Sequence, residues 1–268
     1  MKRYAVLLAV SALTATLALA GTAGVGHRVV SPVKGSFKYC SDPTFPPMES
    51  TSTSGKPVGF DIDMANAIAK LWKVKAKFVQ TAFPGLLPGL ASKRCNMVIS
   101  GIFITPDRVK QFPAVSYMKT HRALVVQAGN PKKIKGPNDL AGKNVAVQAG
   151  TKYEEYLKDL NDQFKSSGRA QMNLQSYPGD TDAVGQLLVG RADAVLTQDT
   201  SGAYQKKQHP GTLAIAYLFP ETDSFGIYYR KSDKKLGTAL RSAIKTLKKK
   251  GTLKKIAAKH QIPVTDVQ

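Results

Sequence analysis

The 268 residues carry 39 Lys+Arg against 18 Asp+Glu, a formal net charge of +21, with 43% hydrophobic residues and two cysteines. That apolar content supports one large core or two ordinary lobes and excludes a disordered chain. The charge invites a nucleic-acid reading, but no binding module or aromatic-interleaved basic stretch accompanies it, so a solvated basic face that favours anionic surfaces fits better.

Residues 1–20 stand apart. Lys2 and Arg3 precede an apolar run from Tyr4 to Leu19, and Ala18-Leu19-Ala20 has the small-x-small form of a signal-peptidase site. The run is short for a bilayer span, which disfavours an uncleaved anchor, and no cysteine follows it to carry a lipid. The mature chain is therefore expected in the periplasm, where two cysteines suggest one disulfide. Gly21 to Lys34 shows no periodicity and reads as loose.

From Phe37 the pattern alternates. "FKYCSD" reads as a strand, "FDIDMANAIAKLW" as a helix with Met64, Ile68, Leu71 and Trp72 on one face, "AKFVQ" as a strand, "GLLPGLASK" as a helix and "NMVISG" as a strand. Thr105-Pro106 then caps a new helix. After "ALVVQAGNP" a second set begins. "NVAVQAGT" is a strand, and "KYEEYLKDLNDQF" is a helix with Tyr153, Tyr156, Leu157, Leu160 and Phe164 inward. "NLQSY", "DTDAVGQLLVG" and "ADAVLT" repeat the theme, and "LAIAYLF" closes it. "SFGIYYRK" returns the chain to two helices, Asp233 to about Lys249 and Thr252 to His260. Two α/β sets with a late return predict two parallel-sheet lobes, whose strand ends face each other across a cleft.

Arg108 falls in the first turn of the Pro106 helix, an end that is already positive. A cation there is unfavourable by roughly 0.3–1 kcal/mol unless an anion is present. Ser100-Gly101 at a strand end and the Arg108 guanidinium would suit a carboxylate, although Arg108 could equally pair with Asp107. Gly150 and Thr151 offer a second anion-binding turn, or a plain capping box with Glu154. Phe45, Phe83 and Phe103 follow strand ends and suggest ligand walls. Asp42, Glu49 and Asp199 are carboxylates near the expected cleft. His27, His121, His209 and His260 lack metal spacing, and no catalytic or cofactor motif is present.

"GFDIDMANAIAKLW", with "DPTFPPMES", "FPGLLPGLASKRCNMVISGIFITPDR", "VAVQAGT" and "GRADAVLTQD" in order, resembles the family 3 extracellular solute-binding proteins, amino-acid receptors of ABC importers. The resemblance runs from about Phe37 to His260. It implies a two-lobed α/β periplasmic-binding-protein fold of type II, with residues 36–119 and 225–268 in one lobe and 120–224 in the other, joined by two crossing strands. It also implies a monomer that binds a small amino-acid-like solute, closes by hinge motion and docks on a membrane permease. Arg108 would clamp the ligand carboxylate with Ser100, Gly101 and Thr151, Phe45 and Phe83 would wall the ligand, and Asp42 would face its polar part.

Two positions depart from the family pattern. Phe103 replaces a usual serine or threonine, and Gln198 replaces the usual ammonium-binding acid, with Asp199 next door. These changes point to a carboxylate solute whose other end is a substituted amine or a basic side chain. They also leave room for a cyclohexadienyl-dehydratase-like enzyme on the same fold, with Glu49 or Asp199 as general acid. In the implied sheet Cys95 precedes its strand and Cys40 lies near the exit of a neighbouring one. The two cysteines are therefore expected not to be bonded to each other.

Overall fold

The computed structural model of the protein describes residues 31–267. The expected leader lies outside them, and so do residues 21–30 of the segment read as loose; Ser31–Lys34 form neither helix nor strand. In chain order come β1 (Ser36–Ser41), β2 (Thr44–Phe45), β3 (Glu49–Thr51), β4 (Pro57–Val58), α1 (Phe60–Trp72), β5 (Lys75–Gln80), α2 (Leu86–Ala91), β6 (Met97–Val98) and α3 (Pro106–Gln111). The chain crosses along β7 (Ala114–Gln127) to β8 (Asn144–Gln148), α4 (Lys152–Ser166), β9 (Asn173–Tyr177), α5 (Asp180–Leu188), β10 (Ala194–Gln198) and α6 (Asp199–Gln208). It returns along β11 (Leu213–Tyr229) to α7 (Lys234–Lys249) and α8 (Thr252–Lys259).

The main sheet has the order β5-β1-β6-β11-β7-β10-β8-β9, and β2–β4 form a small separate sheet. β5, β1 and β6 are mutually parallel, as are β10, β8 and β9. Between the two triplets β7 and β11 run antiparallel to each other and to their outer neighbours. The expected two parallel-sheet lobes joined by two crossing strands are therefore present. "LAIAYLF" and "SFGIYYRK", read as separate segments, belong to one 17-residue strand, β11. Its register against β7 shifts between Leu218 and Thr222, where Pro220 has no N–H for the ladder.

The helices that the apolar period predicted bury most of the faces it named, with Leu71 and Tyr156 only partly covered. Met64, Ile68 and Trp72 of α1 are buried with Phe60, and Leu236, Leu240, Ile244 and Leu247 of α7 are buried against the same core. Gly59 shows why α1 begins where it does. Its φ is +132°, and a Cβ there would lie 2.3 Å from the Met48 carbonyl oxygen. That approach lets the N–H groups of Phe60 and Asp61 donate to the carbonyls of Pro47 and Met48 at 3.0 and 2.9 Å. Helix α6 escapes a periodicity reading because "DTSGAYQKKQ" has no apolar stripe.

The expectation for the cysteines is overturned: Cys40 and Cys95 are bonded, with Cα atoms 5.7 Å apart. Counting offset along a straight strand fails because β6 is two residues long and Cys95 arrives from a turn. Lys93 adopts φ +62°, and Arg94 N–H donates back to Gly89 C=O. Asn96 N–H then reaches Lys38 C=O, which brings Cys95 beside Cys40 in an apolar cluster with Leu86, Leu90, Val98 and Tyr228. Arg230 holds the turn through the carbonyls of Leu90 and Cys95 at 3.0 and 2.7 Å. The bond spans 55 residues. Reduction should therefore lower unfolding free energy by about 2–4 kcal/mol. Denaturant titrations with and without reductant measure this, and superimposable curves would contradict the bridge.

Candidate functional site

A cavity of about 10 Å³ lies between the lobes. Phe45, Phe83, Gly101, Phe103 and Arg108 line it from one side, and Gln148, Thr151, Lys152 and Tyr153 from the other. Beyond Phe103 and Lys152 a wider recess of about 230 Å³ is walled by Thr105, Arg122, Tyr156, Asp159 and Asp223. The facing walls touch. Gln148 Nε2 donates to Asp42 Oδ2 at 2.8 Å, Phe103 and Tyr153 meet edge to face at 5.3 Å, and Pro84 packs against Gly150. The inner space is about that of one water, so admitting any solute requires the walls to part.

Arg108 is placed as the Thr105-Pro106 cap predicts: Thr105 Oγ1 accepts the Arg108 N–H at 3.3 Å. Its guanidinium donates to the Phe103 carbonyl at 3.1 Å and lies 5.7 Å from the Phe83 ring centroid. Among the described residues it has no ion-pair partner, Asp107 included; Asp107 pairs with Lys110. Burial pushes its pKa down. A desolvated cation with unused donors faces the cavity, which is an arrangement for an incoming anion.

The other expected residues divide by where their polar atoms go. Phe45, Phe83, Phe103 and Thr151 line the cavity as read. Thr151 also caps α4, accepting from Glu154 N–H at 3.2 Å and donating to Gln148 C=O at 2.7 Å. Asp42 stands behind the wall, holding Phe83 N–H at 3.0 Å as well as Gln148. Ser100 and Gly101 do not offer the expected donors to the cavity: Ser100 Oγ donates to Glu49 at 2.8 Å, and Gly101 N–H donates to Asp61 at 2.7 Å. Gly101 is required for another reason. At φ +44° a Cβ would meet the Phe45 ring at 2.8 Å. Gly150 N–H is likewise committed, to Glu154 Oε2 at 2.7 Å.

Gln198 and Asp199 fall outside the cavity lining. Gln198 Nε2 donates to Thr120 Oγ1 at 2.6 Å, and Thr120 in turn donates to Asp199 Oδ1 at 2.8 Å. β10 ends at Gln198 and α6 starts at Asp199, so both side chains are drawn to the crossing strand β7. Gln148, at the exit of "VAVQ", and Tyr153, in the first turn of α4, are lining residues that the sequence reading passed over. A polar side chain closing an otherwise apolar strand was the available signal for Gln148.

Four buried carboxyl groups surround this site without a cation. Burial raises Asp42 to about 6 against hydrogen bonds from Thr44, Phe83 and Gln148, and raises Asp180 to about 6 against those from Thr197 and Ser201. Glu49 and Asp61 are raised too, first by burial and, for Glu49, next by the Asp61 carboxylate beside it. Tyr117 OH completes the Asp61 shell at 2.9 Å. These acids keep in the folded chain a proton that the unfolded chain releases near 3.8. Stability should therefore fall as pH rises from about 4 through 6, whereas the lowered Asp63 and Glu154 lose their contribution only on further acidification. Thermal unfolding should show a higher midpoint at pH 5 than at pH 7.5. A midpoint that rises over that interval would contradict this placement of the acids.

Comparison with known proteins agrees with this architecture. Residues 37–262 match the bacterial extracellular solute-binding proteins, family 3. The L-cystine-binding protein TcyJ of Escherichia coli K12 is 30% identical over 227 residues, covering 84% of this chain and 82% of that protein. The ABC transporter arginine-binding protein 1 of the same strain is 30% identical over 218 residues, covering 80% and 86%. Among solved structures, an ancestral arginine-binding protein bound to arginine aligns with a TM-score of 0.78 at 34% identity, covering 85% of this chain and 98% of its own. AncCDT-1, an ancestral amino acid-binding protein and precursor of cyclohexadienyl dehydratase, aligns at 0.77 and 30% identity, covering 84% and 95%. With its motifs, its crossed-strand fold and a match over most of its length in agreement, the chain belongs to family 3 of the bacterial extracellular solute-binding proteins.

Proposed function

We propose that the protein is an exported, monomeric receptor that captures an amino acid between its lobes and delivers it to a membrane ABC permease. The observation that carries the reading is Arg108, a half-buried guanidinium beside the cavity that donates to a carbonyl, lies over a ring, feels the Glu155 carboxylate at longer range and has no ion-pair partner among the described residues. An α-carboxylate would supply the missing charge in a bidentate pair. Asp42, behind the wall and holding Phe83 N–H and Gln148, lends the site negative charge that favours a cationic far end, and the faces of Phe45, Phe83 and Phe103 suit a weakly hydrated one. Relatives that bind arginine, histidine, lysine or ornithine support a basic side chain on the solute.

Delivery follows from closure. In the β7–β11 pair Lys119 opposes Ser224 and Thr120 opposes Asp223, which supports lobes of residues 36–119 with 225–268 and of residues 120–224. A ligand that touches Arg108 on one lobe and Thr151 or Gln148 on the other stabilises only the closed state, and so shifts the open–closed equilibrium. The permease then reads the closed form. The dehydratase-like alternative lacks its acids in the right place. Glu49 is buried behind Ser100 and Asp199 is held on Thr120, and neither lines the cavity.

Calorimetry against L-arginine, L-histidine, L-lysine, L-ornithine and L-cystine tests the reading. At least one should bind wild type, and Arg108→Met should weaken it by roughly 30-fold to several thousand-fold, the 2–5 kcal/mol of an orphaned buried carboxylate. Circular dichroism should be unchanged. Unaltered affinity in Arg108→Met would overturn the assignment.

A further inference from the structure

Most of the positive charge plays no part in the cavity. From Lys231 to His260 the chain has eleven Lys/Arg and one acid, Asp233. Asp233 is taken by Arg230 at 2.6 Å. Because α7 and α8 turn Leu240, Ile244, Leu247, Leu253 and Ile256 into the core, Lys234, Lys235, Lys245, Lys249, Lys250, Lys254 and Lys255 are left exposed, and among the described residues none of these is ion-paired.

These helices pack on α1 and form with it a groove of about 370 Å³. Its floor is Ala67, Leu71 and Leu247, and its rim carries Lys70, Lys250 and Thr252. Lys73, just past α1, and Lys75 and Lys77 of β5 extend the exposed charge. The acids of α1 do not neutralise it: Asp61 is buried on Gly101 and Tyr117, and Asp63 is held by Lys259 and His260 at 2.6 Å each.

We propose that the α1–α7–α8 face is a docking surface for anionic phospholipid bilayers, with the groove seating a headgroup between Lys70 and Lys250. Charge complementarity selects this occupant. The cations are lysines with a single arginine, Arg241, in the C-terminal stretch, and point charges on flexible stems suit a fluid anionic surface, where a fixed peptide partner would favour the guanidinium fork. The aromatics of α1 and β5 do not project as anchors, since Trp72 is buried and Phe78 half-buried, and no described helix is long and apolar enough to cross a membrane. Binding is then peripheral, governed by charges within a Debye length of about 8 Å at physiological salt. Adsorption would confine an exported receptor to the membrane that carries its permease, and it is independent of what the cavity binds.

The test is co-sedimentation of exported protein, its N-terminus mapped to confirm loss of the leader, with vesicles of phosphatidylcholine alone or with 30% phosphatidylglycerol. Wild type should pellet with the anionic vesicles at 20 mM salt, release at 500 mM, and ignore the neutral ones. Replacing Lys249, Lys250, Lys254 and Lys255 together by Glu should reduce anionic binding at least tenfold. The same net change at Lys133, Lys135, Lys165 and Lys206, exposed on the other lobe, should reduce it far less, and both variants should keep wild-type solute affinity. Equal loss in the two variants would make net charge the cause and overturn the patch. Equal pelleting with both vesicle types, or none at low salt, would overturn the membrane as its partner.

Discussion

The antiparallel pairing of β7 with β11 is the constraint on which everything else rests. It is the one place where the two parallel triplets are joined, and it sets β1 and β6 on one side against β8 and β10 on the other. The ends of those strands therefore meet, and Asp42 at the exit of β1 can touch Gln148 at the exit of β8. The ladder shifts register at three points, and two flank the boundary proposed between Thr120–Asp223 and Lys119–Ser224. On that proposal, a paired but irregular ribbon keeps the lobes in register while leaving a seam suited to their rotation.

At the meeting of the lobes many polar groups satisfy one another, although Tyr153 OH, Gln198 Oε1, Glu49 Oε2 and Asp61 Oδ1 are buried without a hydrogen-bond partner among the described residues. Ser100 with Glu49, and Gly101 and Tyr117 with Asp61, make the hydrogen bonds that hold the turn under Phe45. Gly150 and Thr151 are spent on α4, and Thr120 binds Gln198 and Asp199 together. Arg108 remains as a desolvated charge, a costly group to maintain unless something pairs with it. The carboxyl groups of Asp42 and Asp180 nearby, shifted up to about 6, can shed their charge by taking a proton on mild acidification. A guanidinium has no such route at neutral pH.

Much of this was legible in the sequence where one physical signal dominates. The 3.6-residue period marked α1, α4 and α7, and Thr105-Pro106 placed Arg108 in its turn. Signals failed where tertiary geometry decides. The polar "PETDS" stretch breaks an apolar pattern, yet β11 continues through it because β7 supplies a partner on the far side of the irregularity. Cys95 could not be placed without knowing that the chain reaches β6 from a turn. Gln198 and Asp199 sit at a strand-to-helix junction, where strand alternation stops predicting direction, and Thr120 draws both. Ser100 and Gly101 were in the right place with the wrong task, since the buried acids that claim their donors are distant in sequence.

The central claim is that the unpaired Arg108 guanidinium is completed by the carboxylate of the solute. Once the calorimetric panel has identified a bound amino acid, the most direct measurement is its affinity beside that of the same molecule with the α-carboxylate replaced by a primary amide. That exchange keeps shape and side chain but removes the charge. The account predicts that the amide binds at least a hundredfold more weakly to wild type, and that the difference collapses in Arg108→Met. Equal affinity of acid and amide for wild type would contradict it.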